Sequence, residues 1–182
     1  MKLGNTLYVT HRKDWRAWLR RNHAETREIW LIYYKKHSGR PRLPYNHAVE
    51  EALCYGWIDS TVKRIDEDRT AQRFSPRRPR SFLSETNKER VRRLIKSKKM
   101  TRIGLRKIQP QMDEKYTHAP DIIAALKRDA KTWRHFRSFP ESYQRIRVGW
   151  IDAARRRPEI FQQRLRYFLR MTAQNKRFGM VR

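Results

Sequence analysis

The chain holds a single cysteine, Cys54, so neither an internal disulfide nor a Cys-only metal site can form, and the sequence suits a reducing compartment. It has no long apolar run. Nothing approaches the ~20 apolar residues needed to span a bilayer. Met1 to Thr10 carries no stretch of signal-peptide kind, so the expected location is the cytoplasm. Aliphatic residues are sparse as well. Leu, Ile, Val and Phe contribute 12, 12, 6 and 7 residues of 182, which together with the charge lies near the compositional boundary with disorder. Walker, Gly-x-Gly-x-x-Gly and Gly-x-Ser-x-Gly patterns are absent. The histidines His11, His23, His37, His47, His118 and His135 fall at no metal-ligand spacing with one another or with Cys54, so no cofactor or metal is implied and an enzyme is disfavoured. Carboxylates are the most telling shortage: 18 Asp+Glu face 45 Lys+Arg, which leaves +27.

Aromatic residues supply the core that the aliphatics do not. Six Trp, eight Tyr and seven Phe recur at helical or strand spacing. Thr6 to Thr10 alternates as a short strand, and Trp15, Trp18 and Leu19 share a helix face. Ile29 to Tyr34 is a continuous β-forming run, read as a central strand covered on both faces. Asn46 is the expected cap of a helix carrying Val49, Ala52 and Leu53, with Glu50 and Glu51 suiting its positive end and Gly56 stopping it. Val62 to Ile65 and Thr70 to Ser75 flank a charged turn as an antiparallel hairpin.

From Arg73 to Ser81 two prolines favour an extended path with its arginines displayed. Ser84 caps the next helix, whose Val91, Leu94 and Ile95 form an apolar stripe, and another helix starts at Thr101. These two helices fit a helix-turn-helix loosely, but Gly104 would sit inside the recognition helix, so a packed pair is preferred. Residues 110–119 read as a linker, and everything after Pro120 is helical in period. The expected organisation is an α+β protein: a small, mainly antiparallel sheet with helices over residues 1–112, then a helical region over 120–182.

The basic surplus points to a polyanion, with nucleic acid foremost. Residues 60–109 hold 17 Lys+Arg and 5 Asp+Glu, and Lys88, Arg92 and Lys96 stand four apart on one helix. The expected polyanion-binding residues are Arg73, Arg77, Arg78, Arg80, Lys88, Arg92 and Lys96. The alternative is a small-molecule or enzymatic site in a cleft around Trp57, Asp59 and Arg77, with Phe74 in its lining. A third reading places a protein partner on aromatics of the C-terminal helices. For Cys54 the expectation is a buried structural thiol.

Several segments resemble one family: residues 48–60 (AVEEALCYGWIDS), residues 72–81 (QRFSPRRPRS), residues 87–91 (NKERV), then Met100, Thr101 and Gly104. They are similar to the YdeI/OmpD-associated proteins, also called bacteriocin-protection proteins. The likeness runs from about Trp15 to Gly104, and the stretch from Pro120 to about Asn175, with Trp150, Ile151, Ala153 and Ala154, is similar to that family's helical C-terminal region. Leu83 departs from the family's usual Trp, and Ser97 and Lys98 replace a common glycine. The resemblance implies protection against bacteriocins and cationic peptides, association with a porin, and no established catalytic mechanism. It further implies a YjbR/CyaY-like superfamily of small α+β proteins, some of which are labelled DNA-binding.

Overall fold

The computed structural model describes residues 3–79 and 81–179. They form two compact units, one built from the described residues up to 82 together with 90–113 and the other from 83–89 and 114–179. The α+β expectation holds: strands are confined to the first unit, and the second is helical.

The first unit contains strand β1 (Thr6–Leu7), helix α1 (Arg12–Asn22), strand β2 (Ile29–Tyr34), helix α2 (Tyr45–Cys54), strand β3 (Trp57–Arg64) and strand β4 (Arg69–Pro76). Helix α3 (Glu85–Lys96) contributes its residues from Arg90 onward, and helix α4 (Arg102–Met112) completes the unit. The sheet order is β1-β2-β4-β3. β2 pairs in parallel with β1 and antiparallel with β4, and β4 pairs antiparallel with β3. The run Ile29–Tyr34 is therefore an interior strand, as its continuous apolar character requires. Trp15, Leu19, Leu31, Leu53, Trp57 and Phe74 are buried. Trp15 stacks on Trp18 at 5.3 Å and meets Phe74 edge-on at 5.5 Å, while Trp18 meets Trp57 at 5.8 Å. The Trp15 indole donates to Ala48 O at 3.0 Å, which ties α1 to α2 and satisfies a buried polar atom.

Several local expectations change. β1 is shorter than the alternation predicts, because only Thr6 and Leu7 find partners on β2. α2 begins at Tyr45 after Pro44, so Asn46 lies inside the first turn, where its side chain accepts from Arg90 at 2.8 Å instead of capping. Glu50 and Glu51 serve the arginines of α1 instead of the helix end. Ile95 is exposed, so the α3 stripe reduces to Val91 and Leu94 within this unit. α4 runs through Pro110 to Met112, so the irregular connection begins later than the composition predicts.

Gly104 is where α4 meets the end of α2: a Cβ there would lie 2.1 Å from Cys54 O. Thr101 caps α4 by accepting from Gly104 N at 3.0 Å, and its hydroxyl donates to Cys54 O at 2.5 Å. This glycine is a backbone contact, not a recognition-helix residue, and the packed pair of helices is the arrangement found.

The second unit holds the first turn of α3, capped by Ser84 Oγ accepting from Asn87 N at 3.3 Å. Helices α5 (Pro120–Lys127), α6 (Ala130–Ser138), α7 (Glu141–Asp152) and α8 (Pro158–Ala173) follow. Their core joins Ile122, Leu126, Phe136, Tyr143, Ile151 and Phe168. Asp129 caps α6 by accepting from Thr132 N at 2.7 Å, and Pro158 opens α8, where its missing N–H costs nothing.

Candidate functional site

The Asp59 region draws polar groups from four elements of the first unit and from the segment just past β4. Asp59 sits on β3 opposite Phe74 of β4 and is half-buried. Its carboxylate accepts from the Tyr45 hydroxyl, at the start of α2, at 2.7 Å. Burial and that carboxylate push the Tyr45 phenol up to about 12. Tyr33, on β2, has its phenol raised by burial and by the neighbouring Tyr45 and Asp59, and its hydroxyl is buried without a hydrogen-bond partner.

Arg77, just past β4, is 6% exposed. Its Nη2 donates to Ser81 O at 2.9 Å and Phe82 O at 2.8 Å, while Nη1 is buried without a partner. Arg90, on α3, donates to Asn46 at 2.8 Å. Burial pulls both guanidiniums below their ordinary value, and the Asp59 charge offsets part of that shift in each. The Tyr33 hydroxyl, held protonated, and the Arg77 guanidinium, still charged, each keep a buried donor to offer, so these two groups can receive a hydrogen-bond acceptor beside the Asp59 carboxylate.

Of the residues singled out in the sequence, Asp59 and Arg77 come together here. Trp57 and Phe74 are fully buried against Trp18 and Trp15, so they support the region from beneath and do not line it. Tyr33, Tyr45 and Arg90 carry no such signal in the sequence: Tyr33 lies in an apolar strand, Tyr45 sits outside any motif, and Arg90 belongs to the segment 87–91 without a charge pattern that sets it apart.

The basic residues divide. Arg73 binds Glu28, with Nε at 2.7 Å and Nη2 at 2.6 Å. Arg77 turns inward, against the expectation of a displayed arginine, because the carbonyls of Ser81 and Phe82 fold back to receive it. Arg78 and Lys96 are exposed and Arg92 is half-buried. Arg80 lies outside the described residues. Lys88 is buried in the second unit between Glu85 at 3.3 Å and Glu114 at 3.4 Å, so the row expected of Lys88, Arg92 and Lys96 is broken at its first member. Cys54 is buried, and desolvation pushes its thiol up to about 11, as an unreactive structural cysteine requires.

In the second unit, α8 turns Phe161, Phe168 and Thr172 inward and presents Gln163, Arg166, Tyr167 and Arg170 around an open depression of about 380 Å³. No described group of His, Cys, Asp and Glu can hold a metal ion, and no described helix is long and apolar enough to cross a membrane.

Residues 115–175 match the family described as Bacteriocin-protection, YdeI or OmpD-Associated, which supports that resemblance over most of the helical region. Residues 48–104, where the likeness was read most densely, fall in a different match, and neither match carries the YjbR/CyaY-like grouping. No curated protein and no solved structure matches the chain. Residues 7–107, more than half of the chain, match the Domain of unknown function (DUF8412), and the chain belongs to that family.

Proposed function

We propose that this is a YdeI/OmpD-associated-type protein that acts without catalysis, in the cytoplasm, by binding a polyanion, with nucleic acid the first candidate. The carrying observation is arithmetic. Even if each of the 18 carboxylates neutralised one cation, 27 of the 45 Lys+Arg would remain uncompensated. Many carboxylates are already committed: Glu28 to Arg73, Glu51 to Arg12 and Arg16, Glu85 to Lys88, Asp121 and Asp152 to Arg155. Exposed cations such as Arg78 and Lys96 are what a polyanion would meet. Binding releases counterions, so log affinity falls with log salt by about 0.9 per phosphate neutralised on duplex DNA. Anisotropy titration of labelled DNA and RNA across a salt series tests this: a steep slope is expected, and a flat one refutes it.

A second reading takes the Asp59 cluster as a site for a small anionic molecule. Its support is the pair of buried, unpartnered polar atoms, Tyr33 Oη and Arg77 Nη1. Asp59→Asn would alter binding of such a ligand while leaving the salt slope for DNA nearly unchanged.

A further inference from the structure

The C-terminal end of the second unit concentrates charge of one sign. After Glu159 the sequence contains no Asp or Glu, while Arg164, Arg166, Arg170, Lys176, Arg177 and Arg182 follow. Arg164 is engaged, donating to Trp150 O at 2.6 Å with its guanidinium over the Trp150 ring at 4.5 Å. Arg166 and Arg170 are exposed, and neither has a carboxylate partner among the described residues.

Tyr167 lies between them. Positions 163, 166, 167 and 170 recur at helical spacing, so Gln163, Arg166, Tyr167 and Arg170 form one strip around the depression. The Tyr167 ring is braced edge-on by Phe178 at 4.7 Å, has the Arg170 guanidinium over it at 5.3 Å, and is still 36% exposed. A held, exposed ring flanked by cations that lack a carboxylate partner, one helical turn apart, matches the stacking platform and charged track of single-strand binders.

We propose that this face of α8 binds single-stranded nucleic acid: Arg166 and Arg170 contact phosphates, Tyr167 stacks on an unpaired base and Gln163 hydrogen-bonds a base edge. The proposal rests on the polyanion reading and locates it. A duplex keeps its bases stacked inside and leaves the ring unused. A lipid surface is disfavoured because the apolar side chains that would enter it, Phe161, Leu165, Phe168 and Leu169, are packed in the helical core.

The test compares the wild type with Tyr167→Ala, Tyr167→Phe and the double variant Arg166→Gln/Arg170→Gln. Each is titrated with labelled oligo-dT over a salt series, with heparin as a polyanion lacking bases, and with phosphatidylglycerol vesicles. Tyr167→Ala is expected to weaken oligo-dT binding about tenfold and leave heparin unchanged, while Tyr167→Phe binds as the wild type does. The double variant, at two exposed positions that do not support the core, weakens both ligands and reduces the oligo-dT salt slope by about 1.4. It carries the test if Tyr167→Ala fails to melt cooperatively.

Equal losses on oligo-dT and heparin in Tyr167→Ala, vesicle binding without oligo-dT binding, or a double variant with wild-type affinity and slope would each overturn the α8 site. In the last case the polyanion reading survives with its site elsewhere. If the wild type binds no polyanion, that reading itself fails.

Discussion

Two buried charges, one in each unit, are held in opposite ways. In the sheet-bearing unit, Glu51 of α2 is 1% exposed and takes Arg12 and Arg16 of α1, the latter at 2.6 Å. In the helical unit, Arg147 is 7% exposed and has no carboxylate partner among the described residues. Its guanidinium lies over the rings of Phe178 at 4.5 Å, Tyr143 at 5.3 Å and Trp150 at 6.0 Å. An ion pair fixes direction and leaves a stranded charge when broken, whereas ring faces offer a weaker attraction that tolerates adjustment. Two glycines repeat the contrast. Gly104 faces backbone at 2.1 Å in the first unit, and Gly149 faces the Glu85 side chain at 3.1 Å in the second. At these positions the first unit relies on contacts that cannot yield and the second on side chains that can.

Substitution at the two glycines should show the largest divergence. Gly104→Ala forces α4 away from the end of α2 and is expected to destabilise by about 3 kcal/mol. Gly149→Ala, inside α7, gains helix propensity against a movable neighbour and should stay within about 1 kcal/mol of the parent. Urea melts followed by tryptophan fluorescence decide it, and equal losses would end the contrast.

The next effect belongs to the buried charges. Glu51→Ala strands two partly buried guanidiniums and is expected to lower stability by about 2 to 3 kcal/mol. Arg147→Met removes a buried charge while filling its space, for a change of about 1 kcal/mol or less in either direction. The same melts compare them, and a large loss in Arg147→Met would show that the ring-lined site needs its cation.

A smaller, pH-dependent effect separates the units further. Burial, and then the nearby Arg145 charge, hold the His118 imidazole below its ordinary value, so the unfolded chain takes up that proton more readily. Stability contributed by His118 is complete above the usual imidazole range, near ~6.5. It declines as pH falls from there towards the depressed folded value. The slope of melting midpoint against pH in this window should flatten in His118→Gln. Smallest is the Cys54 response. With the thiol pushed up to about 11, a disulfide reagent at neutral pH should react only on unfolding, and rapid labelling of the folded protein would contradict its burial.

Much of the fold was readable because period and capping are local. The interior strand Ile29–Tyr34, the hairpin read at Val62–Ile65 and Thr70–Ser75, whose first strand in fact begins at Trp57, the Ser84 cap, the helix start at Thr101 and the helices after Pro120 all follow from side-chain spacing and neighbouring polar atoms. The candidate sites were less legible. Asp59 and Arg77 stood out by their surroundings in sequence, but Tyr33 and Tyr45 join them only because β2 and the start of α2 lie beside β3. At α8 the available signal, an acid-free stretch with Arg166, Tyr167 and Arg170 at helical spacing, was present but hidden in a chain that is basic throughout.

By itself the sequence determined the charge surplus, the aromatic nature of the core, the want of any disulfide and the order of strands and helices, because these depend on composition and short-range periodicity. Tertiary structure alone decided which cations are free. Arg77 and Lys88 are as basic on paper as Arg78 and Lys96, yet the first turns in to the carbonyls of Ser81 and Phe82 and the second is buried between Glu85 and Glu114. A charge is available to a ligand only where no acceptor brought close by the fold has already claimed it. That proximity, set by long-range packing, is written in no local stretch of the chain.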